Sequence, residues 1–333
     1  MIKLRRASLM IALSGGLELD ERDSVWLSSP SVGGVILFTR NFKNAAQLRR
    51  LSSDIRQKAG RHIVIAVDQE GGRVRRFRGG GFSSLPAAAV IGKDTTLCRA
   101  AGLVMAAELV AAGLDLSFAP VLDLSHGRSS VIGTRAFGSN VETVSQAAAA
   151  FADGMRAAGM ACCGKHFPGH GYARADSHKT LPTDLRAYDT ISGADLLTFS
   201  DWAKMKQPAL MTAHVVYGKC DSQAATFSPF WLKTVLRGRL NFRGMIVSDD
   251  LAMAGADIGD MSERIKAAIS AGCDGLLVCQ PAEIEEALSS VVATSSAKNP
   301  WLVLAAKPDN RVSIGDDDYH EAKLRLSRAG ARN

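Results

Sequence analysis

Eight short apolar runs rich in β-branched residues recur along the chain, separated by longer stretches with helical periodicity. This alternation is the pattern of βα units around a parallel sheet. The runs are "SLMIALS" (8–14), "GGVILFT" (33–39), "HIVIAVD" (62–68), "LSFAPVLD" (116–123), "ACCGKHF" (161–167), "ALMTAHV" (209–215), "GMIVSDD" (244–250) and "DGLLVCQ" (274–280). Between them lie amphipathic stretches such as "NAAQLRRLSSDIRQKAG", with Leu48, Leu51 and Ile55 on one face, and "VETVSQAAAAFADGMRAAG", closed by Gly159. Eight strands alternating with helices predict an α/β fold of the (β/α)8, or TIM-barrel, type. An open doubly wound sheet is the rival. It would offer a glycine-rich phosphate turn after its first strand, and "ALSGG" lacks that spacing.

With 333 residues, 47% of them hydrophobic, the chain has material for one large core or two small ones. No internal repeat, low-complexity tract or Pro/Ser linker divides it. Residues 1–333 are therefore read as a single barrel domain, with 291–333 a C-terminal extension whose structure the sequence leaves open. The start, "MIKLRRASLMIALSGG", places basic residues before an apolar run of only about seven, which reads as a buried strand rather than a signal peptide. No stretch reaches the ~18 apolar residues that span a bilayer. Six cysteines without a CxxC pair read as reduced thiols, so the expected location is the cytoplasm, with no membrane partner. A net charge of +7 with only 6% aromatics is poor material for a nucleic-acid surface, and an anionic small substrate fits at least as well.

In a parallel barrel the loops at the C-terminal strand ends build the active site. Those ends carry Thr39, Arg40 and Asn41, Asp68, Asp123, Lys165 and His166, His214, and Asp249 and Asp250. Loop polarity alone explains Thr39 or Asp123. It explains "VIAVDQEGGRVRRF" less well, where a carboxylate ends an apolar strand, two glycines allow a tight turn and arginines follow. Asp68 is read as a ligand-binding carboxylate. Carboxylates and arginines converging on one mouth suit a hydroxyl-rich ligand, that is, a carbohydrate.

The stretch "GKHFPGHGYARADSH" (164–178) brings together His166, His170 and His178. Pro168 and Gly169 break any helix that would align the first two as metal ligands, and the first strand has no HxH at its end, so no metal and no other cofactor is expected. Asp176 and His178 form a carboxylate–imidazole pair suited to general acid/base work, with Asp176 orienting His178. "GMIVSDDLAM" delivers Asp249 to the mouth as a nucleophile, while Asp250 is expected to turn outward or cap the next helix.

Together "VDQEGGRVRRF", "KHFPGHG", "DSH", "MTAHV" and "FRGMIVSDDLAM" resemble the bacterial β-N-acetylglucosaminidases of glycoside hydrolase family 3, the single-domain peptidoglycan-recycling type. The resemblance runs from about residue 8 to 290. It implies a (β/α)8 barrel that removes non-reducing terminal N-acetylglucosamine from muropeptides carrying anhydro-N-acetylmuramic acid. It further implies Asp249 as nucleophile, His178 as general acid/base with Asp176 as its partner, and Asp68, Arg76, Arg135, Lys165 and His166 as sugar-binding residues. A monomer acting through a covalent glycosyl-enzyme is expected. Several alternatives stay open at this point: attack by the substrate's own acetamido group, phosphorolysis, a metal-dependent hydrolase using Lys165, His214 and Asp249, and a barrel that binds sugar without cleaving it.

Overall fold

The computed structural model describes residues 2–6, 9–174, 181–307 and 312–330, with the backbone alone for 2–6, 292–297 and 330. Eight parallel strands close into a barrel: β1 (Leu9–Ala12), β2 (Val32–Leu37), β3 (Val64–Val67), β4 (Leu116–Ser117), β5 (Ala161–Phe167), β6 (Ala209–Thr212), β7 (Met245–Asp250) and β8 (Gly275–Val278). They follow one another around the ring in chain order, and β8 closes against β1 through Leu276–Leu9 and Val278–Ile11. Each of the eight apolar runs coincides with one barrel strand, seven of them enclosing it and the second missing only its first residue, Val32. Most strand residues are buried, as expected where side chains fill the interior on one face and meet helices on the other. The run 116–123 pairs over less of its length than its hydrophobicity predicts. Regular pairing stops at Ser117, Pro120 has no N–H for a ladder, and Val121 rejoins β5 only as an isolated bridge to Lys165.

One main helix follows each strand: α1 (Glu21–Ser28), α2 (Ala45–Ala59), α3 (Thr95–Ala111), α4 (Val141–Ala157), α5 (Asp195–Lys204), α6 (Phe230–Arg239, wound as a π-helix), α7 (Met261–Ala271) and α8 (Pro281–Ser290). The side chains of Asp20, Asn44, Asp94, Asn140 and Asp260 accept amide N–H bonds at the starts of α1, α2, α3, α4 and α7. Leu48, Leu51 and Ile55 of α2 face the barrel as the periodicity predicts. Helices α3 and α4 touch backbone to backbone. A Cβ on Gly102 would lie 2.0 Å from the Phe151 carbonyl oxygen, and one on Gly154 would lie 2.0 Å from that of Arg99.

The chain beyond residue 290 is stitched to the barrel. Val291–Lys298 pairs in parallel with Ile2–Arg6 outside the main sheet. Asn299 Nδ2 donates to the carbonyl of Gly33 at 2.9 Å, and Trp301 is fully buried under the N-terminal strand ends, with its ring 6.5 Å from that of Phe118. A last helix, α9 (Asp317–Gly330), packs on α3, and its Tyr319 hydroxyl donates to Glu108 at 2.9 Å. This second covering explains why α3 is buried almost all around. Among the described residues the six cysteines are free thiols, and no helix is long and apolar enough to cross a membrane.

Candidate active site

A cavity of about 770 Å³ opens at the C-terminal ends of the strands. Asp68 follows β3, and the chain then folds into a small hairpin in which Gln69 opposes Arg75. Gly71 (φ 121) and Gly72 (φ 54) make that turn in left-handed conformations, and a Cβ on Gly71 would lie 2.3 Å from the Pro86 carbonyl oxygen. Buried Gln69 holds the hairpin closed, its Oε1 accepting from the amides of Arg76 at 2.8 Å and Phe77 at 3.2 Å. Glu70, Arg73, Val74 and Arg76 thereby line the cavity with Asp68.

Strand β5 supplies Lys165 and His166, joined by a cis peptide bond. Lys165, 2% exposed at its side chain, places Nζ 2.8 Å from Asp68 Oδ1 and 2.7 Å from Glu70 Oε1. Arg135, from the loop after β4, grips Glu70 with two parallel bonds, Nη2 to Oε1 at 2.7 Å and Nε to Oε2 at 2.8 Å. Arg76 Nη2 stands 3.5 Å from Asp68 Oδ2. Burial alone would raise the pKa of Asp68 and Glu70. For Asp68 the charges of Lys165 and Arg76 prevail, and for Glu70 those of Arg135 and Lys165, so both carboxyls are held below the usual carboxylate range. Burial would likewise lower the pKa of Lys165, but the two carboxylates raise it, so Lys165 is a cation.

His166 is fixed by Asp123, which is fully buried at the end of the fourth apolar run. Asp123 accepts from His166 Nδ1 at 2.7 Å, from the His166 amide at 3.2 Å and from the His170 amide at 2.7 Å. A carboxylate only accepts, so Nδ1 carries the hydrogen. Nε2 then turns its lone pair toward Arg135 Nη2 at 3.3 Å. His170 also lines the cavity, and burial followed by the neighbouring His166 lowers its pKa to about 4, which keeps it neutral.

Across the barrel, β7 brings Asp249 to the opposite wall, where it is half-buried and accepts from the Asp250 amide at 2.9 Å. Asp250 does not turn outward as the sequence suggests, for it lines the cavity too. The helix that begins downstream at Met261 takes its cap from Asp260. Asp250 Oδ1 instead accepts from the amides of Ala252 and Cys279, both at 3.0 Å, tying the ends of β7 and β8 together. Burial, opposed by the Ala252 amide and reinforced by the charge of Asp249, pushes the Asp250 carboxyl up to about 6. Met211, Val131, Met253, Leu277 and Phe38 contribute to the apolar part of the lining.

Asp68, Arg76, Arg135, Lys165, His166 and Asp249 thus meet in one cavity, while Asp176 and His178 lie outside the described residues. His214 is not among the lining residues. It stacks on Phe227 and bonds the Asp250 carbonyl through Nε2 at 3.0 Å, a structural contact to β7. Among the described residues no group of three or more His, Cys, Asp or Glu side chains is placed to hold a metal ion, and Lys165 has no lone pair to offer one while it is protonated. Two participants escaped the sequence reading. Glu70 is the hub between Arg135 and Lys165, and the only local signal for it is its place two residues after Asp68. Asp123 looked like ordinary loop polarity, yet it orients His166.

A family model described as the Glycosyl hydrolase family 3 N terminal domain matches residues 7–303. The β-hexosaminidase of Tolumonas auensis is 52% identical over 310 residues, covering 91% of this chain and 90% of that protein. The β-hexosaminidase of Bordetella avium is 46% identical over 303 residues, 86% of each chain. Among solved structures, NagZ from Neisseria gonorrhoeae in complex with N-trifluoroacetyl-D-glucosamine superposes with a TM-score of 0.89 at 37% identity, over 99% of each chain.

Proposed function

The chain belongs to glycosyl hydrolase family 3 and is a β-N-acetylhexosaminidase, and from that premise we propose that it releases terminal N-acetylglucosamine from peptidoglycan fragments by a retaining mechanism with Asp249 as nucleophile. The observation that carries this reading is the division of the cavity. On one wall Asp68 and Glu70 are neutralised by Lys165 and Arg135, which leaves donors and acceptors for an uncharged, hydroxyl-rich ring. On the other wall stands Asp249.

In the first step an Asp249 carboxylate oxygen attacks the anomeric carbon and the glycosidic C–O bond breaks. His178, oriented by Asp176, gives its proton to the departing oxygen. In the second step His178 takes a proton from water, which attacks the same carbon and returns Asp249 as a carboxylate. In this scheme the histidine takes the role that a second carboxyl group has in most retaining glycosidases. Asp68, Arg76, Arg135, Lys165 and His166 position the sugar hydroxyls and the acetamido group. The natural substrate we assign is N-acetylglucosamine linked β-1,4 to anhydro-N-acetylmuramic acid with its stem peptide, turned over by a cytoplasmic monomer in cell-wall recycling.

The test is nitrophenol release from 4-nitrophenyl β-N-acetylglucosaminide in phosphate-free buffer. The wild-type protein is expected to hydrolyse it, and Asp249→Ala to lose roughly 10³-fold or more in kcat, as when a covalent nucleophile is removed. A folded Asp249→Ala protein that keeps wild-type activity overturns the assignment.

A further inference from the structure

Arg73 has no part in the ion network of the cavity floor. Its exposed side chain reaches across from the hairpin after β3 to the loop after β4. There Nη2 donates to the Ser130 carbonyl at 2.9 Å and to the Val131 carbonyl. The loop it meets is built as a firm wall. Val131, Ile132 and Ala136 form an apolar cluster of their own, separate from the main core, with Ile132 fully buried. Arg135 Nη1 holds the Val131 carbonyl at 3.3 Å, and the Ser129 hydroxyl accepts from the Ile132 amide at 3.3 Å. Arg73, Val74, Ser130, Val131 and Arg135 all line the cavity.

The position of this wall relative to Asp249 gives it a consequence. Strands β3 and β7 are four steps apart in a closed ring of eight, so Asp68 and Asp249 approach the mouth from opposite sides. In a pyranose ring C4 lies directly across from C1. A sugar whose C1 meets Asp249 therefore directs its C4 edge toward Asp68, Glu70 and the wall behind them. A β-1,4-linked chain is extended from O4, into the segment that Arg73 latches.

We infer that Arg73 is a specificity-determining residue: its bridge to Ser130 and Val131 closes the far end of the cavity, so that only a terminal sugar fits. The inference rests on the glycosidase reading above and names what confines that activity to chain ends. It needs no contact between Arg73 and the reacting atoms, only that the bridge hold two loops together.

The experiment uses 4-nitrophenyl β-chitobioside, which carries two N-acetylglucosamine units, and identifies the first products early in the reaction. The wild-type protein should release the monosaccharide first, with nitrophenol appearing after a lag. Arg73→Ala should release chitobiose and nitrophenol together. The ratio of chitobiose to monosaccharide among first products should rise at least about tenfold, the shift expected when a charged donor loses its bonds to two carbonyls. This ratio is independent of overall rate, so a general loss of activity does not imitate it. Arg73→Lys, which keeps a cation but not the fork, should give a ratio between the two, and it carries the same test if the alanine variant does not fold. A folded Arg73→Ala protein with the wild-type ratio overturns the inference. A wild-type protein that fails to cleave the monosaccharide glycoside counts against the glycosidase reading instead.

Discussion

Replacing Glu70 by glutamine removes one negative charge from a buried cluster while keeping its shape. In the native cavity two carboxylates, Asp68 and Glu70, face the cations of Lys165 and Arg135, and Glu70 touches both at 2.7 Å. A glutamine oxygen in the Oε1 position still accepts from Lys165 Nζ and Arg135 Nη2, but its amide then turns donors toward Arg135 Nε, which loses its acceptor. Deleting one partner of a buried ion pair costs about 3–5 kcal/mol. Lys165 keeps Asp68, which places the expected cost at the low end, about 3 kcal/mol. Felt at the sugar contacts proposed for Lys165 and Arg135, a loss of that size lowers kcat/KM roughly 10²-fold. The pH dependence has a definite sign. The folded pKa of Glu70 is depressed, so its stabilising contribution is present above the unfolded value near 4 and is lost as pH falls below it. The gap in melting temperature between wild type and Glu70→Gln should therefore be full at pH 7 and narrow below about pH 4. Thermal unfolding at several pH values and nitrophenol release at pH 7 give both readings. A variant with unchanged kcat/KM and an unchanged melting temperature at pH 7 refutes the role of Glu70 as hub.

Asp250→Asn keeps an oxygen for the Ala252 and Cys279 amides but removes a carboxyl whose pKa burial pushes up to about 6. Ionising such a group carries a stability penalty that is absent below about pH 4 and complete above about pH 6, so the variant should be more stable than wild type at pH 7, by no more than about 3 kcal/mol, and no more stable at pH 4, as read by thermal unfolding. For Asp123→Asn, the loss of the carboxylate that sets the His166 tautomer should reduce kcat/KM about 10- to 100-fold, by analogy with outer partners that orient ligating histidines, and the assay is again nitrophenol release.

The barrel was legible because its signal is local. Each strand announces itself in a handful of apolar residues, and each helix in a stripe such as Leu48, Leu51 and Ile55. Asp68, Lys165, His166 and Asp249 were legible for a related reason, since a charged residue ending an apolar run stands out. Glu70 and Asp123 were not, because their meaning lies in partners distant along the chain. Arg135 is 65 residues from Glu70, and His166 is 43 from Asp123. The inward placement of Asp250 depends on an amide of the next strand, at Cys279, which no local pattern announces. The end of the chain was opaque for another reason. Trp301 and Tyr319 dock on surfaces made by distant segments, so the burial of each depends on the finished barrel.

Covalent glycosylation of Asp249 during the proposed turnover can be trapped by incubating the protein with a fluorinated N-acetylglucosaminyl donor that slows the second step, and the label located by peptide mass spectrometry. The expected result is a single glycosyl adduct on the peptide containing Asp249, formed as activity is lost and absent from Asp249→Ala. Turnover of the aryl glycoside by wild type with no adduct on Asp249 would contradict it and favour attack by the substrate's own acetamido group.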